Sequence, residues 1–345
     1  METQTLKQLA AGEECSREQL LALVEAESPL QQALWAQADR VRARFLGQEV
    51  HLRALIEISN YCCCHCLYCG LRSANGRLQR YRMSPEEIVD TAKEALQLGY
   101  KTVVLQSGED PWYDGDKIAG IVSEIKKLGL AVTLSLGERR PEELALWRRV
   151  GADRYLLRHE TIDRELYQGL HPGRSLEARL ETLEQLRRLG YQVGAGMMVG
   201  LPQQRTETLV EDLLFLRRLP VDMAGIGPFV ANGSTPLADA PSGRVDRTLN
   251  VVALARLLMP YAHLPATTAL GALESQGRWA ALQVGANVVM PNITPREYRD
   301  KYELYPNKNS IQGSNSDARE NIEKVLQGLN RRIGQGYGHS RLVGG

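Results

Sequence analysis

The sequence predicts an α/β protein whose main domain is a complete (β/α)8 barrel of the TIM type. Eight short apolar segments recur along the chain, and amphipathic helical patterns fill most of the intervals between them. Several of these helices end in glycine and lead directly into the next apolar segment, as at Gly129, Gly190 and Gly285. Because eight such units in about 240 residues match the size of a closed barrel, we favour this fold over a doubly wound open sheet.

Strands and helices are predicted to alternate from residue 55 onward. The predicted strands are Leu55–Ser59, Thr102–Ser107, Val132–Leu136, Arg154–Glu160, Val193–Val199, Ala224–Phe229, Pro265–Leu270 and Asn287–Met290. The predicted helices are 85–98, which Ser84 caps, and then Gly115–Leu128, Pro141–Val150, Leu176–Leu189, Thr206–Leu219, Arg247–Leu258 and Leu273–Val284. Polar or glycine-rich residues follow most of the strands, and these strand ends form the ligand-binding face of a barrel.

Two regions flank the predicted barrel domain, which covers residues 51–305. Residues 1–50 are predicted to form a helical extension, in which Ser16 and Gln19 have the spacing of a capping box. Residues 306–345 are predicted to contain a loop, a helix over Ala318–Leu329 and a flexible, glycine-rich tail.

The composition narrows the class of function. The 345 residues include 42 lysines and arginines and 41 aspartates and glutamates, which leaves a net charge of +1. This balance predicts no broad attraction to nucleic acid or to an anionic membrane. The sequence shows neither a secretory signal pattern nor the roughly 20 apolar residues that a membrane span needs. We therefore expect a cytoplasmic protein, in which thiols stay reduced.

Five of the six cysteines lie in one short segment, directly after the first predicted strand. Three of them, Cys62, Cys66 and Cys69, have the spacing C-x3-C-x2-C. Three thiolates can hold three irons of a cubane cluster and leave the fourth iron open to another ligand. The pattern therefore predicts a [4Fe–4S] cluster with one open iron.

A zinc site is the main alternative for these cysteines. Cys64 or His65 could supply the fourth ligand that structural zinc requires, but the chain has no second C-x2-C pair. Cys63 and Cys64 do not fit the cluster spacing and are predicted to be spectators. Cys15 is predicted to be an ordinary thiol beside a helix.

The cysteine spacing, with the aromatic Tyr68 before the last cysteine, resembles the signature of the radical S-adenosylmethionine (SAM) superfamily. Further blocks, in the same order, resemble the HydE family of [FeFe]-hydrogenase maturases from about residue 40 to residue 306. The blocks are Ser59-Asn60, Cys66–Arg72, Arg80–Met83, Leu105–Pro111, Ser135–Glu138, Leu156–Thr161, Gly194–Pro202, Gly225–Phe229, Pro265–Ala269 and Asn287–Asn292. The resemblance implies a [4Fe–4S] cluster, SAM as cofactor, and a 5′-deoxyadenosyl radical that acts on a small amino-acid-derived iron complex.

The resemblance also implies the residues of the site. Cofactor-binding residues would be Tyr68, Ser107, Gly108, Glu109, Ser135, Glu160, Arg179 and Met198. Substrate-binding residues would be Thr133, Arg158, Thr267, Thr268 and Tyr302. Arg158 would be a buried cation that an anionic substrate neutralises. No catalytic residue is implied beyond the cluster and the cofactor. Ser107 departs from the family pattern, which has a glycine there.

The implied partners are a small anionic substrate derived from an amino acid, a low-potential electron donor such as a ferredoxin or flavodoxin, and other hydrogenase maturases. Three alternatives stay open: a methylornithine synthase-like enzyme, a biotin synthase-like enzyme, and a non-catalytic iron–sulfur carrier. Biotin synthase needs further cysteine ligands, but only Cys15 lies outside the motif. Many HydE proteins carry additional cysteines near the carboxyl end, whereas residues 303–345 contain none, so we expect a single cluster.

Overall fold

The computed structural model describes residues 2–308 and 314–340 of the chain. Over these residues the elements are, in order, α1 (Glu2–Ala11), α2 (Arg17–Val24), α3 (Leu30–Leu46), β1 (Glu49–Leu52), β2 (Ala54–Ser59), α4 (Pro85–Gln97), β3 (Thr102–Ser107), α5 (Gly115–Lys127), β4 (Ala131–Ser135), α6 (Pro141–Arg149), β5 (Arg154–Leu156), α7 (Arg164–Leu170), α8 (Leu176–Arg188), β6 (Gln192–Val199), α9 (Thr206–Arg218), β7 (Met223–Pro228), α10 (Val245–Leu258), α11 (Thr268–Leu273), α12 (Gly277–Gln283), β8 (Val288–Val289), α13 (Arg296–Arg299), α14 (Asn315–Gly328) and β9 (Arg332–Ile333).

A six-stranded parallel sheet forms the centre of the fold. Its strands, β2 to β7, lie side by side in sequence order, and each pairs in parallel with the next. Helices connect them, as parallel pairing requires. The prediction of an α/β protein with a parallel sheet is therefore confirmed, and five of these six strands match their predicted bounds to within one residue. The exception is β5, which ends at Leu156 rather than at Glu160.

The part of the predicted barrel that follows β7 is less regular than predicted. Pro265–Leu270 is not a strand. Only single bridges join His263 to Met223 and Pro265 to Val288, and the chain then enters α11 with Thr267 at its N-cap. Pro265 has no N–H to donate to a strand partner, and Thr267 occupies a position that favours helix initiation. An isolated bridge also joins Leu55 to Asn292. The described residues thus confirm a six-stranded sheet, but not a complete eight-stranded barrel.

The two flanking regions each contribute a short strand that the sequence does not predict. β1 pairs in parallel with both β8 and β9. The predicted helical extension is present as α1, α2 and α3, and Ser16 forms the expected capping box with Gln19. The extension is tied to α10 because the Trp35 indole donates to Asn250 Oδ1 at 2.9 Å.

Alternate residues of the sheet face opposite sides. Val103, Leu105, Val132 and Leu134 belong to the main hydrophobic core, together with residues of the surrounding helices. The residues between them face the other side, which we call the inner face, because side chains alternate along a strand. The inner face carries Glu57, Gln106, Thr133, Ser135, Arg158, Gly194, Gly196, Met198, Gly225 and Gly227. Leu55, Val104 and Leu156 also fall on this face, so it is mixed on β2 to β5 and becomes polar toward the carboxyl ends. The glycines on β6 and β7 leave room for a ligand.

Residues 334–340 pack against the amino-terminal ends of the strands, which differs from the flexible tail that the sequence predicts. The Tyr337 carbonyl accepts hydrogen bonds from Thr102 Oγ1 at 2.9 Å and from Arg154 Nη2 at 2.7 Å. The Gly338 carbonyl accepts from Arg53 Nη2 at 3.1 Å. Arg53 and Arg154 are only 2% and 0% exposed, so this segment supplies acceptors to two buried cations. Arg53 Nε and Arg154 Nη1 keep no hydrogen bond within the described residues. The predicted tail residues 341–345 lie outside the described residues.

We expect a chain that ends after Gly336 to be less stable than the full chain. Hydrogen bonds to charged groups contribute about 1.5–3 kcal/mol each, and the truncation removes acceptors from Arg53 and Arg154. The free energy of unfolding, measured with urea, should therefore fall by about 3 kcal/mol or more. Changing both arginines to Met in the truncated chain should restore part of this loss, since neutral side chains need no acceptor. Equal stability of the truncated and full chains would contradict the expectation.

Candidate functional site

The segment after β2 carries the three motif cysteines, Cys62, Cys66 and Cys69, which are all half-buried and not in disulfides. Backbone hydrogen bonds attach this segment, which we call the cysteine loop, to neighbouring elements. Cys63 N donates to the Glu109 carbonyl at 2.9 Å, and Leu67 N donates to the Leu170 carbonyl at 3.0 Å. The carboxyl ends of β3 and α7 thus hold the cysteine loop from two sides.

The thiols of the cysteine loop lie close enough to perturb one another. Contact with Cys64 and burial raise the pKa values of Cys62 and Cys66. Burial raises the pKa of Cys69 to about 11, and the Cys64 thiol adds to this shift. Crowded thiols with raised pKa values are poor anions without a cation, and metal binding replaces their protons. The donor set therefore fits a metal cluster.

Gly108 allows the loop after β3 to reach the cysteine loop. A Cβ atom at this position would overlap the Tyr61 carbonyl oxygen and would lie 2.6 Å from Cys62 Cβ. The neighbouring Glu109 N can therefore donate to Cys62 Sγ at 3.4 Å. The Ser107 hydroxyl donates to the Gly108 carbonyl at 2.6 Å, so the residue that departs from the family pattern helps to shape this turn.

Two arginines and two glutamates form a network beside the cysteine loop. Arg179 Nε donates to Glu138 Oε1 at 2.6 Å, and Arg179 Nη2 lies 3.8 Å from Glu109 Oε1. Arg174 contacts Glu109 directly and lies 3.4 Å from Glu138 Oε2. Burial raises the pKa of Glu109 to about 7, and the Cys64 thiol adds to the shift. The network therefore places positively charged guanidinium groups and carboxylates side by side next to the cysteine loop.

Arg174 also connects this network to the remaining cysteines. Its Nη2 donates to Cys64 Sγ at 3.0 Å and lies 3.6 Å from Cys63 Sγ. The Cys63 and Cys64 thiols and a Glu109 oxygen all lie within 4.8 Å of one another. Cys64, which the sequence predicts to be a spectator, is therefore buried among the polar groups of the site.

A small apolar cluster lies next to the cysteine loop. It comprises Leu170, Met198, Leu201 and Phe229, and Tyr68 packs against it. The structure thus brings together Tyr68 and Met198, two of the predicted cofactor residues. The cluster provides an apolar surface of the kind that lines small-molecule binding sites.

His171 fixes the position of Tyr68. Its Nδ1 lies 2.8 Å from the Tyr167 carbonyl oxygen, which can only accept, so Nδ1 carries a proton. Burial lowers the pKa of His171, so the ring is neutral and Nε2 accepts from the Tyr68 hydroxyl at 2.8 Å. The sequence predicts no role for this histidine, which supports a predicted cofactor residue.

Arg158 and Glu160, which follow the end of β5, form an ion pair with Arg158 Nη2 3.1 Å from Glu160 Oε2. The prediction that Arg158 is a buried cation is wrong, because its side chain is 31% exposed and Glu160 neutralises it. Glu160 has a φ of 66°, in the left-handed region. A non-glycine residue held there stores about 1–3 kcal/mol of strain, and such residues cluster at functional sites. Behind this pair, His159 and Asp212 are fully buried and 3.4 Å apart.

Several predicted residues carry buried polar atoms without hydrogen bonds. Among the described residues, these atoms include Thr133 Oγ1, Arg158 Nε, Glu160 Oε2 and Thr267 Oγ1. A buried polar group without a partner costs about 1–3 kcal/mol in proteins. Glu160 Oε2 still has its ion-pair partner Arg158. The other three atoms have none within the described part of the chain, and their place on predicted ligand-binding residues fits a polar ligand.

The other predicted residues line the same region. Tyr302 is buried, and its hydroxyl accepts from Gln106 Nε2 at 3.3 Å. Gln106 pairs in register with Ser135, which is half-buried at the end of β4. The Thr268 hydroxyl lies 2.6 Å from the Tyr305 hydroxyl. Thr267 and Thr268 occupy the start of a helix rather than the predicted strand.

Known proteins are similar to this chain in sequence and in fold. A family model described as the Radical SAM superfamily matches residues 56–216. The [FeFe] hydrogenase maturase subunit HydE of Thermotoga maritima is 51% identical over 312 residues, which cover 90% of each chain. This chain belongs to the radical SAM superfamily. Within the superfamily it is a homologue of HydE, as the sequence motifs predict, and it is an enzyme of the radical SAM class.

Two further comparisons concern methylornithine synthases. The 3-methylornithine synthase of Methanosarcina acetivorans is 30% identical over 287 residues, which cover 82% of this chain and 81% of that protein. A crystal structure of methylornithine synthase superposes with a TM-score of 0.85 at 27% identity and covers 95% of this chain and 97% of its own. This chain and methylornithine synthase therefore have the same fold. No helix among the described residues has the length and apolar character to span a membrane.

The sequence motifs of this radical SAM enzyme do not identify every residue near the site. Glu138 lies within a block that carries the resemblance, but no role is predicted for it. Arg174 lies in a loop, and His171 ends a short helix. Neither has a local pattern that reveals its contact. Tyr305, whose hydroxyl contacts Thr268, lies three residues after the predicted substrate residue Tyr302. This proximity in the sequence is a signal that could have identified it.

We expect Gly108→Ala to displace the cysteine loop, because a Cβ atom at this position overlaps Tyr61 and Cys62. Overpacking of this kind costs about 1–3 kcal/mol, and the iron content of the reconstituted protein should fall as well. Gly120→Ala is the matched control: it lies inside α5, and its added Cβ meets nothing within 4 Å. It should be neutral or stabilising by up to about 1 kcal/mol. Equal behaviour of the two variants in urea unfolding would argue against the expectation.

A double-mutant cycle tests the contact between Tyr68 and His171. Tyr68→Phe and His171→Phe should be less destabilising together than the sum of the single changes, by about 1 kcal/mol. The Tyr191 hydroxyl bonds instead to the Leu144 carbonyl at 2.7 Å, so Tyr191→Phe combined with His171→Phe should be additive. Additivity of the Tyr68 and His171 pair in urea unfolding would show that the hydrogen bond contributes nothing.

Proposed function

We propose that this radical SAM enzyme takes part in assembling the H-cluster, the active site of [FeFe]-hydrogenase, by acting on a small amino-acid-derived iron complex. The observation that carries the proposal is the set of buried polar atoms without partners on Thr133, Arg158 and Thr267, beside the Arg158–Glu160 ion pair. The identity to HydE supports the choice of reaction. Three isolated bridges support closure of the sheet into a full barrel: they join Met223 to His263, Pro265 to Val288, and Leu55 to Asn292.

In this proposal Cys62, Cys66 and Cys69 hold a [4Fe–4S] cluster. When bound, the cluster and SAM supply a 5′-deoxyadenosyl radical through one-electron cleavage of a C–S bond. The two hydrogen-bonded anchors of the cysteine loop, on Glu109 and Leu170, keep the three thiols on the ligand-binding side. Cys63 and Cys64 lie outside the ligand set.

The cofactor would lie between the charged network and the apolar cluster. Arg179 would bind its carboxylate, and Glu109, in the loop formed by Ser107 and Gly108, would accept from its amino group. The apolar surface of Tyr68 and Met198 suits an adenine ring, and Glu160 and Ser135 offer oxygen atoms for ribose hydroxyls. Arg179 and Glu109 already pair with other groups of the charged network, so binding would require exchange of partners rather than refolding.

The substrate would lie deeper, on the inner face. Arg158 would pair with its anionic group, and the hydroxyls of Thr133, Thr267, Thr268 and Tyr302 would complete its polar surroundings. We further propose that a ferredoxin or flavodoxin supplies the electron and that the other hydrogenase maturases act with this enzyme in the cytoplasm.

A methylornithine synthase-like reaction is the second candidate. It is favoured by the TM-score of 0.85 to that enzyme over nearly the whole chain. It is disfavoured by sequence, because the identity to methylornithine synthase is 30% and the identity to HydE is 51%.

The test uses protein reconstituted with iron and sulfide and reduced with dithionite. We expect it to convert SAM to 5′-deoxyadenosine and methionine. Single changes of Cys62, Cys66 or Cys69 to Ala should abolish this conversion, whereas Cys15→Ala should not, since Cys15 lies beside α2, outside the cysteine loop. The wild-type protein should also be required, with the other maturases, to activate apo-hydrogenase.

Three outcomes would redirect the proposal. Full conversion by the cysteine variants would exclude the cluster assignment. Lysine-dependent consumption of SAM would favour the methylornithine synthase-like reaction. An electron paramagnetic resonance spectrum that does not change when SAM is added would favour a non-catalytic iron–sulfur carrier, because an open iron in this enzyme should bind the cofactor.

A further inference from the structure

An ammonium group is held on the inner face by a carboxylate and an aromatic ring. Glu57 of β2 is fully buried and forms an ion pair with Lys308, whose side chain is 6% exposed. The Lys308 Nζ lies 4.4 Å from the centroid of the Tyr302 ring. A carboxylate combined with an aromatic face is the chemistry that recognises an ammonium ion.

The carboxylate half of this pair is rigidly placed. Glu57 N donates to Thr294 Oγ1 at 2.8 Å, and the Glu57 carbonyl accepts from the Tyr81 hydroxyl at 2.7 Å. The side-chain amide of Asn292 donates to Glu57 Oε2 at 2.9 Å, which leaves Oε1 directed at the lysine. The anionic part of the site is therefore preformed by the sheet and its neighbours.

The lysine half is held less firmly. Lys308 comes from the segment that follows α13 and not from the sheet. Over residues 2–308 and 314–340, its ammonium group has the Glu57 ion pair but no hydrogen bond. An ammonium ion offers three donors, and burying it with so few partners is costly. A ligand ammonium of the same charge could replace it without leaving Glu57 unpaired.

The site adjoins the predicted ligand-binding residues. Glu57 pairs in register with Gln106, which pairs with Ser135, so all three lie at one level of the inner face. Gln106 also donates to the Tyr302 hydroxyl. The amine-binding groups and the predicted substrate residues therefore belong to one polar surface.

We propose that Glu57, Asn292 and Tyr302 form an amine-recognition site of the substrate cavity, which the Lys308 ammonium occupies in the free enzyme. Arg158, which the proposed function assigns to the anionic group of the substrate, supplies the opposite charge. The cavity would thus select a ligand that carries both an amine and a carboxylate, such as an α-amino acid. This inference rests on the proposed function, because it takes the inner face to be the substrate cavity.

The competing explanation is that the ion pair merely fastens the segment around Tyr302 and Lys308 to the sheet. The two explanations predict different effects of Lys308→Met on the affinity for amines. If Lys308 occupies an amine site, its removal strengthens the binding of amines. If it is a fastener, its removal lowers stability and leaves amine binding unchanged.

The experiment measures binding of L-alanine and propionate, which differ by the amine, to the reconstituted enzyme with SAM by calorimetry. Charged hydrogen bonds contribute about 1.5–3 kcal/mol, or roughly tenfold or more in affinity. Lys308→Met should therefore bind L-alanine about tenfold more tightly than the wild type, with little change for propionate. Glu57→Gln should lose the preference for L-alanine over propionate.

Lys301→Met is the matched control. Its ammonium lies 5.9 Å from the Tyr298 ring, in an arrangement that resembles the Lys308 site but is half-exposed, and its removal should change neither affinity. If Lys308→Met has the same ratio of L-alanine affinity to propionate affinity as the wild type, the inference is overturned. This holds even if Glu57→Gln fails to fold. Release of 5′-deoxyadenosine by the wild type is measured separately, so a failure of the amine site is distinguishable from a failure of the proposed function.

Discussion

The close approach of the cysteine loop to the turn after β3 is the constraint on which the rest of the site depends. A side chain at Gly108 would occupy the space of Tyr61 and Cys62, so the two loops can meet only because this residue lacks one. Their contact lets Glu109 N reach Cys62 Sγ and directs the Glu109 carboxylate toward Arg174 and Arg179. Because β2 and β3 are neighbours in the sheet, the sheet order itself decides which loop can support the cysteines.

Arginines with buried nitrogen atoms that lack hydrogen bonds lie at both ends of the strands. At the amino-terminal ends, carbonyl groups of Tyr337 and Gly338 accept from Arg154 and Arg53, so the chain itself provides acceptors for these cations. Within the described ranges, Arg53 Nε and Arg154 Nη1 nevertheless lack hydrogen bonds, as does Arg158 Nε at the carboxyl ends. The Arg158 side chain is 31% exposed and pairs with Glu160. A protein loses stability for each buried polar atom left unsatisfied. Atoms of this kind therefore do not distinguish the two ends by themselves. The cysteine loop and the charged network lie at the carboxyl ends, which is where the general rule for parallel α/β folds places a ligand.

The sequence predicts what depends on local patterns and fails where tertiary contacts decide. Strands β2, β3, β4, β6 and β7 are found almost as predicted, because apolar runs between glycine-ended helices are strong local signals. Pro265–Leu270 has the same apolar character, but proline and a helix-starting threonine make it a bridge followed by a helix. At the site, the motif and the resemblance identify Glu109, Glu160 and Arg179. They miss His171, Arg174 and Lys308, whose contacts join elements that are distant along the chain.

Both charged regions of the site follow the same energetic logic. Beside the cysteine loop, Arg174 and Arg179 neutralise Glu109 and Glu138. On the inner face, Lys308 neutralises Glu57. Bringing an unpaired charge into a buried site is expensive, whereas exchanging one ion pair for another is not. A cofactor or substrate that carries both an amine and a carboxylate can replace the protein's own partners group by group. The free enzyme therefore keeps its ligand-binding charges buried and paired, and binding requires only that these pairs open.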